Sequence, residues 1–257
     1  MHLKILMIGN SYSFSVTRHF PQLAASVPGL SLKLCNTYIG GCPLRRHVAN
    51  LLESAADATA KQYGVHVFET GREMAESRDS INRVLAAEAW DIVTIQQASQ
   101  ESWNYANYQP FANQLIGYIR RSCPGAEIVI QETWAYNAMA PRLKTWGFGQ
   151  RAMHERVAAA YGMLAAETGF RVIPTGDAVQ FFREQRSGLP DPVNGIEGGD
   201  TIHLTPAGTY LQACVWLAKL FGRHPDEAGY IPEGLPAGHA AALRNAAWDA
   251  VRLSHWR

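Results

Sequence analysis

The chain has 257 residues, of which 47% are hydrophobic and 18% charged, a balance typical of a globular protein with its own core. Its 23 basic and 22 acidic residues give a formal net charge of +1. No strong field of one sign follows, so neither nucleic acid nor an anionic membrane surface is expected as a partner. The four cysteines form no Cys-x-x-Cys pair, which argues against structural zinc and favours small buried thiols, with a disulfide as the alternative.

The N-terminus leads directly into an apolar run over residues 2–8. This run is too short and too early for a signal peptide, so we interpret it as a core strand. The compartment stays open: the chain is cytoplasmic if this N-terminus is native, and periplasmic or secreted if a leader was trimmed. No apolar run reaches the roughly 20 residues that a membrane helix needs.

Short apolar runs then alternate with helical stretches. The runs predict strands at residues 4–8, 30–34, 91–95, 127–130 and 171–173. Helices are predicted at about residues 15–26, 44–61, 80–88, 108–121 and 149–168. Short, wholly apolar runs are typical of parallel strands that are buried on both faces. The pattern therefore predicts an α/β fold, a three-layer α/β/α sandwich around a mostly parallel five-stranded sheet.

A further helix begins close to residue 206. Thr205 is a suitable N-cap, Pro206 suits the first helical position, and apolar residues follow at helical spacing to Phe221. Residues 223–240 are rich in Pro, Gly and His, and residues 240–253 predict a terminal helix. We expect one domain over residues 1–257, with a core at about 3–221 and a helical appendage at about 223–257.

The residues that carry chemistry lie at opposite ends of the sequence. Ser11 follows the first strand, and Asp200 and His203 lie in the loop before the helix at 206. A serine hydroxyl needs a base to take its proton, and the base needs an orienting partner. Sites in open α/β sheets form at the carboxyl ends of strands, so these residues predict a Ser-His-Asp relay for acyl transfer. The segment Gly9-Asn10-Ser11-Tyr12-Ser13 lacks the second glycine of the α/β-hydrolase elbow.

With these motifs the chain resembles the SGNH (GDSL-like) hydrolases over roughly residues 3–221. Gly9-Asn10-Ser11 is similar to the family's Gly-Asp-Ser opening, and Asp200-Thr201-Ile202-His203 matches its Asp-x-x-His motif. The resemblance implies that Ser11 is the nucleophile, His203 the base and Asp200 its orienting acid, without a cofactor or a metal. It also places the oxyanion glycine at Gly41, with Gly40 as the alternative.

One block departs from the family pattern. SGNH hydrolases usually carry Gly-x-Asn-Asp after the third strand, and this Asn donates to the oxyanion together with the backbone N–H of the serine, here Ser11. Residues 95–102 contain neither Asn nor Gly. A glutamine amide can donate the same hydrogen bond, so Gln96 is the favoured third donor, with Gln97 and Gln100 as alternatives.

The Gly-Asn-Ser variant looks similar to a subgroup linked to bacterial carbohydrate esterases. This likeness implies hydrolysis of small acyl esters, chiefly acetyl esters on a carbohydrate. The substrate-lining candidates are Asn10, Tyr12, Trp103 and Trp134. A lipase, thioesterase or arylesterase on the same fold is the alternative, as is a catalytically silent glycan-binding module. The sequence does not indicate an oligomeric state.

Overall fold

The first apolar run forms the central strand of the sheet, and burial on both of its faces explains its continuous hydrophobicity. In the computed structural model, which describes residues 1–69, 71–185, 188–196 and 198–254, β1 spans His2–Gly9. The side chains of Ile5, Leu6, Met7 and Ile8 are fully buried. β1 pairs in parallel with a strand on each side, as expected for a doubly wound sheet.

Seven strands are present in the described ranges, in the order β4-β3-β2-β1-β5-β6-β7. They are β1 (His2–Gly9), β2 (Ser31–Tyr38), β3 (Tyr63–Glu69), β4 (Arg72–Asp79), β5 (Ile92–Ile95), β6 (Glu127–Gln131) and β7 (Val172–Ile173). The helices are α1 (Ser11–Phe14), α2 (Phe20–Ala25), α3 (Leu44–Ala56), α4 (Ile81–Ala86), α5 (Phe111–Ser122), α6 (Pro141–Trp146), α7 (Gln150–Thr168), α8 (Thr175–Gln185), α9 (Pro206–Phe221) and α10 (Ala237–Leu253).

The predicted α/β fold class is confirmed, and its five parallel strands are β2, β1, β5, β6 and β7. The sheet is extended by an antiparallel hairpin, β3–β4, that the sequence did not predict. The helices that flank the sheet include two contacting groups, one formed by α3–α5 and the other by α2 with α8–α10. The predicted appendage, α10, packs on α8 and α9.

The segment predicted as one helix over residues 15–26 is divided. A four-residue helix, α1, begins directly after Asn10, a 3-10 turn covers Ser15–Arg18, and α2 starts again at Phe20. The hydroxyls of Ser15 and Thr17 donate to the carbonyls of Tyr12 and Phe14. Such local bonds compete with the regular helical pattern, and Pro21 suits the start of a new helix.

The register of the parallel strands brings four loops to one edge of the sheet. Gly9 pairs with Tyr38, Ile8 with Ile95, and Ile95 with Ile130. The loops that follow β1, β2, β5 and β6 therefore start side by side, and they carry most of the candidate site residues.

Gly9 ends β1 at this edge, where a Cβ atom would lie 2.4 Å from Ser13 Oγ, so only glycine fits. The predicted buried thiols are confirmed, since all four cysteines are free and buried. Among helices of the described ranges, none combines the length and hydropathy of a membrane span.

Candidate active site

Asn10 fixes the turn that presents Ser11. Its Oδ1 atom accepts hydrogen bonds from the backbone N–H of Tyr12 (3.0 Å) and from Gln96 Nε2 (2.7 Å). Its Nδ2 atom donates to the carbonyl of Cys42 (3.1 Å). Asn10, which was predicted to line the substrate cleft, is buried. The residue instead ties the nucleophile turn to the loop after β2.

The structure brings Ser11, His203 and Asp200 together although 192 positions separate Ser11 from His203. Ser11 Oγ lies 3.0 Å from His203 Nε2. His203 Nδ1 lies 3.2 Å from each carboxylate oxygen of Asp200. A tautomer with the proton on Nδ1 donates to Asp200 and leaves Nε2 free to accept the serine proton. This is the geometry of a Ser-His-Asp relay.

Asp200 is surrounded by hydrogen-bond donors. Oδ1 accepts from the backbone N–H groups of Ile202 and His203, each at 3.0 Å, and Oδ2 accepts from Asn194 Nδ2 at 3.1 Å. Partial burial acts to raise the pKa of Asp200, but these donors and the nearby imidazole together lower the pKa below its ordinary value. The carboxylate therefore stays charged beside His203.

The contact between Asn194 and Asp200 could not be predicted from the sequence. Turn residues around it, Pro192-Val193-Asn194-Gly195, predict a loop, but not which side chain in that loop reaches Asp200. The contact depends on an isolated bridge that pairs Val193 with Leu204 and on the hydrogen bond from the Asn194 N–H to the His203 carbonyl (2.9 Å).

Tyr12 and Trp134 lie beneath the His203 loop and do not line a cleft. Their rings stack with centroids 3.8 Å apart, and both side chains are buried. The Tyr12 hydroxyl (2.6 Å) and the Trp134 indole N–H (2.9 Å) both donate to the carbonyl of Ile202. Both residues were predicted to line the substrate site, and the structure encloses both rings by packing. They hold the residue that precedes His203.

Trp103 is half-buried within an aromatic cluster rather than free to stack on a ligand. Its ring packs against Trp146 and Phe148, with centroid distances of 5.3 and 5.1 Å. Arg156 lies over the same cluster. The indole N–H donates to the Gln100 carbonyl at 3.1 Å, so Trp103 supports the loop after β5.

Of the three glutamines in this loop, only Gln100 reaches the surface. Gln96 is buried and donates to Asn10. Gln97 is buried too: its Oε1 accepts from the N–H of Leu44 (3.0 Å) and its Nε2 donates to the Asn107 carbonyl (2.9 Å). The amide of Gln96, the favoured oxyanion donor, is thus engaged with Asn10, and of the three amides that of Gln100 is the most accessible.

Gln100 lies at the glycine turn after β2. Its Nε2 donates to the Gly41 carbonyl at 3.1 Å, which leaves its second N–H available. Gly40 and Gly41 are both exposed. Gly41 has a φ of +60°, a left-handed conformation that favours glycine. The turn and Gln100 thus form one polar rim beside the loop that carries Ser11.

Arg183 joins two loops of the site. Its Nε lies 3.1 Å from both carboxylate oxygens of Asp191, and its terminal nitrogens donate to the carbonyls of Ala135 (3.1 Å) and Tyr136 (3.4 Å). The loop after β6 is thereby fixed to the segment that leads to Asn194. Because one guanidinium contacts both a carboxylate and two backbone carbonyls, it restrains the two loops relative to each other.

One group of side chains in the described ranges has the composition of a cation site. Ligand atoms of His66, Glu73 and Glu76 lie within 4.8 Å of one another on the β3–β4 hairpin. The relay described above does not include them.

The chain matches the family model of a domain of unknown function, DUF4886, over residues 4–250. A DUF4886 family protein from Bacteroides uniformis is 31% identical, with a TM-score of 0.88 over 98% of this chain and 95% of that chain. No functionally curated protein matches the sequence.

Two more distant structures share the fold. A candidate SGNH hydrolase from Slackia heliotrinireducens is 24% identical, with a TM-score of 0.59 over 86% of this chain and 100% of that chain. A candidate GDSL-like lipase from Parabacteroides merdae is 15% identical, with a TM-score of 0.50 over 84% of this chain and 94% of that chain. The chain therefore has the fold of these SGNH-type proteins.

Proposed function

The chain belongs to the DUF4886 family, and from its site we propose that it is a serine hydrolase that cleaves carboxylic esters. The contact of 3.0 Å between Ser11 Oγ and His203 Nε2, with Asp200 on the other imidazole nitrogen, carries this proposal. Such a constellation is recognised by geometry and roles rather than by sequence order.

The reaction proceeds in two halves. Ser11 Oγ attacks the acyl carbon while its proton moves to His203 Nε2, and Asp200 stabilises the imidazolium that forms. The proton then passes to the leaving alkoxide, which departs as an alcohol and leaves an acyl-enzyme. In the second half His203 takes a proton from water, the resulting hydroxide attacks the acyl carbon, and the proton returns to Ser11.

We assign the oxyanion donors to the rim formed by the glycine turn and Gln100. The backbone N–H groups of Ser11 and Gly41 are two donors, and the second N–H of Gln100 is the third. Donors held in place before the reaction stabilise the charge that develops in the transition state. The contact of Gln100 with the Gly41 carbonyl supports this assignment, because it holds the amide next to the turn.

The substrates that we propose are short acyl esters, chiefly acetyl esters on a carbohydrate. The likeness to the Gly-Asn-Ser subgroup supports this choice. A series of p-nitrophenyl esters from acetate to octanoate separates it from a lipase or a long-chain thioesterase. We expect kcat/KM to be highest for acetate, and a steady rise with chain length would contradict an acetylesterase.

The proposal is tested by Ser11→Ala with p-nitrophenyl acetate. We expect kcat to fall by at least about 10³-fold, since loss of a relay nucleophile removes most of the rate enhancement. Ser54→Ala is the matched control, because Ser54 lies in α3 and its hydroxyl contacts Asn50 and Gln62, which are not part of the relay. A fluorophosphonate probe should label the unaltered protein and Ser54→Ala but neither Ser11→Ala nor His203→Asn. Equal turnover by Ser11→Ala would remove Ser11 from the mechanism. An unaltered protein that neither turns over the ester nor reacts with the probe would favour the silent binding module.

A further inference from the structure

Three rings meet next to the nucleophile turn, on the side of the unexpected hairpin. The ring of Phe14 lies 5.3 Å from that of Tyr38 and 4.9 Å from the imidazole of His66, centroid to centroid. Phe14 is 37% exposed, although large aromatic side chains are usually covered. We call this group, Phe14, Tyr38 and His66, the ring cluster. The relay does not use it.

The ring cluster adjoins both parts of the proposed machinery. Phe14 follows Ser11 by three positions in α1, a spacing that places two residues on one side of a helix. Tyr38 ends β2 just before the glycine turn, and a Cβ atom on Gly40 would lie 3.4 Å from its hydroxyl oxygen. The cluster thus lies toward β2 and β3, whereas the His203 loop is held by Trp134 after β6.

Carboxylates border the ring cluster. His66 Nδ1 lies 2.8 Å from Glu73 Oε1, and Glu76 is the cross-strand partner of His66. Glu73 and Glu76 are both exposed. Exposed ring surface next to acceptors suits a ligand with both C–H faces and hydroxyl groups. An acyl chain would gain nothing from the carboxylates, since it has no donor to offer them.

We propose that the ring cluster, with Glu73 and Glu76 at its border, binds the sugar ring of the ester's alcohol part. The inference rests on the proposed esterase function and names the side on which the alcohol lies. The acetyl group then occupies the space at Ser11, while the sugar packs on Phe14 and its hydroxyls donate to the two carboxylates. The β3–β4 hairpin supplies half of this subsite, which gives the hairpin a role in substrate choice.

The first experiment compares two acetate esters. For each variant, kcat/KM is measured on an acetylated methyl xyloside and on ethyl acetate, whose alcohol has no ring. We expect Phe14→Ala and Glu73→Gln each to lower the ratio of the two values by about tenfold, because the first removes a stacking face and the second removes a charged hydrogen-bond acceptor. Leu52→Ala and Glu155→Gln are the matched controls, since both residues are exposed and lie on α3 and α7. An unchanged ratio in both test variants would overturn the inference.

The second experiment separates this inference from the proposed function. Binding of the same acetylated xyloside to Ser11→Ala is measured by calorimetry, with and without Phe14→Ala. Weaker binding on loss of Phe14 supports the subsite even if Ser11 proves inactive toward esters. If turnover depends on Ser11 but the Phe14 and Glu73 variants behave like the unaltered protein, the esterase function stands and the proposed subsite is excluded. The same variants are tested for zinc binding. If Glu73→Gln abolishes zinc binding and leaves sugar binding unaltered, His66, Glu73 and Glu76 form a cation site and the inference is overturned.

Discussion

Asp200 is held by more contacts than its partner His203, so the orientation of His203 depends on the position of Asp200. Two backbone N–H groups and the Asn194 amide fix the carboxylate. The imidazole is positioned mainly through Asp200 and through the loop that Tyr12 and Trp134 hold at the Ile202 carbonyl. A substitution that displaces the Asp200 carboxylate should therefore also change the orientation of the His203 imidazole.

Asn194→Ala should lower kcat with little change in KM. The change removes one hydrogen bond to a charged group, a loss of about 1.5–3 kcal/mol. Because a donor to the ionised form has gone, the pKa of Asp200 should rise, and the acid limb of the pH profile of kcat should move to higher pH. Steady-state kinetics between pH 4 and pH 8 check both effects.

The pH profile distinguishes positioning from general loosening of the fold. Asn82→Ala is the control, since Asn82 lies in α4 and its amide donates to the Leu51 carbonyl rather than to a residue of the relay. A fall in kcat without any movement of the acid limb would contradict a role of Asn194 through Asp200.

Gln100→Ala tests the third oxyanion donor. We expect kcat to fall by about 10²-fold, the typical loss for one such donor, with a smaller effect on KM. Stability should hardly change, because Gln100 is partly exposed and makes one hydrogen bond to Gly41. Gln114→Ala, at an exposed position of α5, is the control. Full activity of Gln100→Ala would leave the two backbone N–H groups as the only donors.

Among the elements, those with a clear burial pattern could be predicted from sequence. β1, β5 and β6 gave mostly apolar runs because both of their faces are covered, whereas the start of β2 alternates leucine with polar residues. β4 could not be recognised, since all of its residues except Asp79 are exposed and no alternation results. α8 was missed as well: it starts with Thr175-Gly176-Asp177, a sequence more typical of a turn than of a helix.

The start of α9 was predicted correctly from Thr205 and Pro206, and it allows a quantitative test. Thr205 Oγ1 accepts the N–H of Gly208 at 3.0 Å. Thr205→Ala should therefore lower the free energy of unfolding by about 1 kcal/mol. Thr205→Ser keeps the hydroxyl and should lie within about 0.5 kcal/mol of the unaltered protein. Urea unfolding monitored by circular dichroism measures both, and equal losses in the two variants would exclude the cap as the cause.

At the scale of the whole molecule, the sequence suggested which residues meet but not how their neighbours are used. Ser11, Asp200 and His203 were recognisable because each stands at a strand end or before a capped helix. The roles of Gln96, Gln97 and Gln100 could not be separated, since all three share one loop and only tertiary packing decides which amide is buried. The burial of Trp134 could not be predicted for the same reason, because its place after a strand does not show how deeply the side chain lies.

Two histidines are buried without charge, so acid should destabilise the fold well above the range in which carboxylates protonate. Burial lowers the pKa of His47 to about 3. Burial, with a smaller effect of Arg18, lowers the pKa of His19 to about 4. Both values lie below the value of about 6.5 for an unfolded chain. The unfolded state thus binds more protons below pH 6.5, and stability falls as pH decreases from there toward pH 4.

Each histidine should lower the free energy of unfolding by up to about 1.4 kcal/mol per pH unit as the pH decreases. Urea unfolding at intervals between pH 5 and pH 7.5 measures it. His47→Phe keeps a ring at the site but cannot titrate. The slope of its free energy of unfolding against pH should therefore be smaller by the contribution of one histidine. The comparison concerns slopes alone, because loss of the His47 contact with the Tyr63 hydroxyl (2.9 Å) lowers stability equally at every pH. Identical slopes in the two proteins would mean that His47 is already charged in the folded state, against the burial that surrounds it.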